Sequence, residues 1–152
     1  MICRSHEKLR SITVTAVTVL LILIFIYTGL YKLYGLNKNI YLLGKSPYTM
    51  YNPVFFAWVV PISELFIVWL LLQRKKRLTG LYLSFCMVLC FACYVYGVLH
   101  VSYYDLPCTC GGFISDLNWQ QHLWFNIILC LLTAIAVILY PSARTNANQI
   151  HE

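Results

Sequence analysis

Charge is what this chain has least of. Asp, Glu, Lys and Arg make up 11% of its 152 residues, where soluble domains carry ~25%. That excludes a small globular enzyme folded around one buried core. No internal repeat or low-complexity tract interrupts the chain, so it reads as a single domain. No A-x-A cleavage site follows the first apolar run, and that run exceeds the ~7–15 residues of a signal-peptide core. The run is therefore expected to stay as a helix, despite the basic "MICRSHEKLR" before it. Lys and Arg are also missing from residues 102–118, which argues against a cytoplasmic loop there.

What the chain has instead is apolar length. Hydrophobic residues make up 61%, and runs of ~20 apolar residues read as membrane spans. Four are visible: "ITVTAVTVLLILIFIYTGLY" from Ile12, "VFFAWVVPISELFIVWLLL" from Val54, "LYLSFCMVLCFACYVYGVL" from Leu81 and "LWFNIILCLLTAIAVILY" from Leu123. The expected fold is all-α and integral to the membrane, a four-transmembrane-helix bundle over residues 1–140. The spans cover about 12–33, 54–72, 79–99 and 121–140. A polar tail, 141–152, follows and is expected to be irregular.

The net charge of +6 sets topology and does not point to nucleic acid. Arg4, Lys8 and Arg10 precede the first span, "QRKKR" with Arg74, Lys75, Lys76 and Arg77 joins the second to the third, and Arg144 follows the fourth. Positive residues concentrate on the cytoplasmic side, so both termini are expected inside and the 102–118 loop outside the cytoplasmic membrane. The first outer loop, with Lys38 and Lys45, alternates apolar and polar residues. It is expected to form a short interfacial amphipathic helix with Tyr34, Tyr41, Tyr48 and Tyr51 at headgroup depth.

Chemistry concentrates in "PCTCGGFISDLNWQQHLWFN". A disulfide needs Cα atoms within ~4.4–6.8 Å. Cys108 and Cys110 meet that only across a sharp bend, and strained exposed disulfides are the exchangeable ones. Pro107 restricts entry to the bend, while Gly111 and Gly112 permit it. An outward loop lies in an oxidising compartment, which suits a redox pair. His100 and His122 flank the loop, where a cationic imidazole would stabilise a thiolate or relay a proton. Both also fit as plain interfacial residues. Asn118 and Gln121 have the capping-box form, with Ser115 and Asp116 as competing caps. Trp119, His122 and Asn126 fall on one helical face, and the plain reading of that face is a membrane anchor. The same thiols and imidazoles would also make a copper or zinc ligand set. Against this, zinc motifs space their cysteines by two to four residues, and the loop holds no second pair.

Glu64 lies inside the second span, where a carboxylate is costly and usually functional. Lys32 is the attractive counter-ion. A simple register at ~1.5 Å per residue puts the two on the order of 10 Å apart in depth, which leaves a direct pair open. Cys86, Cys90 and Cys93 share one face of the third span and read as interior packing. Neither Cys3 nor Cys130 carries a stronger claim.

These residues together resemble the DoxX-like superfamily of small four-helix membrane proteins, and within it the MauE branch. The resemblance rests on "FIYTGLYKLYG", "PISELFIVWLLL", "RLTGLYLSFCMVLCFACYVYG" and above all the C-x-C-G-G loop with its W-x-x-H-L-x-F-N entry to the last helix. It runs from about Ile24 to Leu139. It implies a redox-associated inner-membrane protein that assists disulfide maturation beside a thioredoxin-like or cysteine-rich extracytoplasmic partner. Such a partner is met in methylamine utilisation. Cys108 and Cys110 would be the redox pair, with Lys32 and Glu64 at recurrent polar positions. No motif calls for a cofactor; a quinone is a conceivable electron acceptor without one. The alternatives are a non-catalytic membrane scaffold with a structural disulfide, or a copper- or zinc-binding membrane protein.

Overall fold

In lipid a backbone N–H or C=O has no water to turn to, so each span closes its own hydrogen bonds as a helix. The computed structural model describes residues 2–101 and 118–149, with side chains over 7–100 and 118–140. All regular elements among the described residues are helices: α1 Ile2–Tyr34, α2 Leu36–Lys45, α3 Pro53–Leu72, α4 Arg77–Val101 and α5 Trp119–Gln149. Four are long and apolar enough to cross a membrane, over Glu7–Tyr34, Pro53–Leu72, Arg77–His100 and Trp119–Tyr140. The expected all-α four-helix membrane bundle is what forms. The tail differs from expectation, because α5 continues through residues 141–149. Extending an existing helix adds one hydrogen bond per residue without a new nucleation step.

The four spans form a ring in which α1 and α4 each pack on both α3 and α5, while α2 lies mainly against α3. Their shared core joins Val17, Leu21, Ile67, Leu71, Leu81, Leu129 and Ala136. Large apolar side chains such as Leu23, Phe66, Leu131 and Ile138 cover the outside. That surface would be an aggregation hazard in water and suits acyl chains. The hydroxyls of Thr18, Ser84 and Thr133, all buried, donate to the carbonyls of Val14, Gly80 and Leu129 one turn back, at 2.7, 2.8 and 2.7 Å. Each polar group is thus satisfied within its own helix.

The tight turn after α3 sets how closely α3 and α4 approach. Gly80 faces Leu71 so closely that a Cβ there would lie 2.9 Å from the Leu71 side chain and 3.0 Å from its backbone nitrogen. Only glycine fits that contact. Lys76 lies over the Trp69 ring, 5.1 Å from its centroid, and the Tyr140 hydroxyl donates to the Arg74 carbonyl at 3.4 Å. This end of the bundle is closed.

Candidate functional site

At the opposite end the bundle is hollow. Lys32, in the last turn of α1, reaches Glu64 of α3, with Nζ 2.5 Å from Oε1. The register estimate of ~10 Å in depth is therefore wrong, because it assumed that α1 ends level with the start of α3. Gly29, one turn before Lys32, lies beside the Glu64 carboxylate: a Cβ on Gly29 would come 3.4 Å from Oε2. With Gly29 and Glu64 level, α3 projects ~9 Å past the end of α1 at 1.5 Å per residue. The α2 segment folds back against that projection, bringing Gly44 next to Pro53. Lys32 then needs to descend only about one turn, well within the reach of its four-carbon stem.

Burial makes the pair consequential. The Glu64 side chain is 1% exposed and that of Lys32 10%, and the ammonium lies 4.7 Å from the centre of the Phe91 ring on α4. A charge taken into a low-dielectric interior is tolerable only with a close partner, so each of these residues requires the other. Oε2 of Glu64 is buried with no hydrogen-bond partner among the described residues.

The ion pair lines a cavity of about 260 Å³. Phe25, Phe56, Met87, Phe91 and Phe125 give it apolar walls, and Asn39, Thr49, His122 and Asn126 add polar groups. The α5 side begins with the Gln121 arm of the expected capping box: the Asn118 N–H donates to Gln121 Oε1 at 3.0 Å, and the His122 N–H donates to the Asn118 carbonyl at 3.0 Å as the first helical bond. This start turns His122 and Asn126 inward, where Asn126 Nδ2 donates to the His122 carbonyl at 2.9 Å. His122 is 1% exposed. The anchor reading of this face is thereby corrected, because the helical face that holds Trp119, His122 and Asn126 is directed at the bundle interior.

The two histidines part company. His100 is exposed, with its ring 4.4 Å from that of Tyr96, and does not line the cavity. Cys108, Cys110, Pro107, Gly111 and Gly112, like Ser115 and Asp116, lie outside the described residues. The segment that carries them leaves α4 at Val101 and enters α5 at Trp119, at the hollow end. Cys86, Cys90 and Cys93 are free thiols on the exposed surface and Cys130 is half-buried, so the three on α4 are not interior packing as expected. Lipid tolerates a small thiol as readily as a core does. Among the described residues no three His, Cys, Asp or Glu side chains converge on a metal position.

Sequence reasoning missed Asn39, Thr49 and Phe91. The first had a signal in its spacing: Asn39 lies three residues before Leu42 in an amphipathic segment, which puts the two on one helical face, and in the structure both are buried. Phe91 had none, since aromatic residues recur all round α4.

No curated protein and no solved structure matches the chain. The model of one family does, over residues 10–140, and that span takes in all four membrane helices and the cysteine loop. Together with four membrane-crossing helices it supports a multi-pass membrane protein of the methylamine-utilisation kind. The chain belongs to the family described as methylamine utilisation protein MauE.

Proposed function

We propose that this protein is a thiol–disulfide exchanger of the inner membrane, with Cys108 and Cys110 as the exchanging pair on its outer side. The partner is a thioredoxin-like or cysteine-rich extracytoplasmic protein whose disulfides it helps to form. The observation that carries the reading is where the loop attaches. It enters α5 a few residues before His122, and His122 is buried against the Lys32–Glu64 cavity. A bundle used only as an anchor has no need of a buried imidazole and ion pair, because charged groups at that depth are costly.

In this reading a thiolate of the partner attacks the Cys108–Cys110 disulfide and forms a mixed disulfide. A second partner thiolate resolves it. The partner leaves with a new disulfide, and the loop is left as a dithiol that has gained two electrons and two protons. His122 at the start of α5 and His100 at the end of α4 flank the loop as proton carriers.

Thiol labelling in intact cells tests this, using a membrane-impermeant maleimide before and after mild reduction. Labelling of both cysteines only after reduction, with Cys108→Ser or Cys110→Ser holding a partner in a mixed disulfide, is the expected result. A bridge that never exchanges would make the protein a scaffold. Copper or zinc retained by the wild type and lost from Cys108→Ser would make it a metal-binding protein.

A further inference from the structure

We infer that the cavity beside Lys32 takes the ring of a membrane quinone, which reoxidises the Cys108–Cys110 dithiol. This rests on reading the loop as an exchanger, since an exchanger that forms disulfides needs an acceptor for the electrons it collects.

The chemistry of the lining selects the ligand. Lys32 is the charged group that the cavity presents, because Glu64 is almost wholly covered while the Lys32 side chain stays 10% exposed. An ammonium has three N–H donors, and Glu64 Oε1 occupies one. The ligand therefore brings an acceptor. An anion would lose its hydration among apolar walls with the Glu64 charge alongside, whereas a neutral carbonyl loses far less. An acyl chain brings no acceptor at all. Phe25, Phe56, Phe91 and Phe125 provide aromatic surface for a flat ring, and the amides of Asn39 and Asn126 provide further polar groups. About 260 Å³ lies just below the ~300 Å³ at which small-molecule pockets begin, which suits a ring with its tail left outside.

Access and electron flow agree with this choice. Cys90 lines the cavity and is exposed on the outside of α4, so the cavity reaches the lipid-facing surface from which a quinone would enter. Cys86 and Cys93 are exposed free thiols that do not line the cavity, so no ladder of interior thiols carries electrons along α4. The balance is simple. The dithiol gives up two electrons and two protons as its S–S bond forms, and the quinone takes both as the quinol.

The test uses the full chain in quinone-free lipid nanodiscs, titrated with a short-tailed benzoquinone and a methylnaphthoquinone. Binding is followed by calorimetry and quinol formation by absorbance. Lys32→Met/Glu64→Met removes both charges together and leaves none unpaired, and Cys90→Trp obstructs the entrance without touching the pair. We expect saturable binding to the wild type, weakened about tenfold or more in both cavity variants. Cys108→Ser/Cys110→Ser should bind like the wild type and form no quinol. Binding that is not saturable, or is unchanged in both cavity variants, overturns the site, as does finding only a retained acyl chain there. A mixed disulfide trapped in the same preparation would then show that the exchanger reading survives. Saturable binding with a dithiol that yields no quinol overturns the acceptor role.

Discussion

The two ends of the bundle are built on opposite terms. Toward the Arg77 end, Leu71 and Leu81 are fully buried, and Gly80 brings two helices to a separation that no side chain could share. Toward the Trp119 end the same four helices enclose a cavity and bury Glu64, His122 and Asn126 beside a partly exposed Lys32. Close packing is what holds helices together in lipid, where apolar burial alone gives little advantage. The closed end thus provides the rigidity that lets the other end stay hollow and polar, much as a site is held by rigid support elsewhere in a protein.

The largest effect that would break this contrast is loss of one charge. Lys32→Met leaves Glu64 buried without a partner and should destabilise the protein by about 3–5 kcal/mol, while Lys32→Met/Glu64→Met should recover most of that loss. Denaturation in mixed micelles measures both. Equal stability of the single and double variants would mean that the ion pair is not what holds the hollow end.

A smaller effect sharpens the same contrast. Leu71→Ala at the closed end should cost about 2 kcal/mol, the low end of core truncations, since lipid removes most of the transfer contribution. Val60 lines the cavity, so Val60→Ala only enlarges an existing space and should cost about 1 kcal/mol or less. Equal losses at the two positions would show that the two halves are packed alike.

The smallest concerns the entry to α5. Gln121→Ala removes the acceptor for the Asn118 N–H and should cost about 0.5–1 kcal/mol. Hydrogen exchange should quicken at the first turn of α5, and His122 should become more accessible to a histidine-modifying reagent. Unchanged protection there would show that packing, not the cap, fixes the start of the helix.

Much of this contrast was legible beforehand, and unevenly. The spans follow from apolar length, and the α5 entry from Asn118 and Gln121, because both are local signals. Glu64 stood out as a carboxylate within a span. That Lys32 meets it did not, because the depth of a residue depends on how far α3 projects past α1, and that offset is set by α2 folding back. Asn126 carried a helical-face signal whose direction could not be read: a face that holds Trp, His and Asn suits the interface or the interior equally well.

The sequence by itself determined that this is a four-span membrane bundle of the MauE family, with a cysteine loop between its last two spans. Length, hydropathy and charge placement act one segment at a time, and a span needs no distant residue to form its hydrogen bonds. Only the tertiary structure decided that Lys32, Glu64, His122 and Asn126 share one cavity, while His100, Cys86 and Cys93 lie outside it and Cys90 joins its lining from the exposed side of α4. Those are matters of helix offset and rotation, and they are settled by packing between segments far apart in the chain.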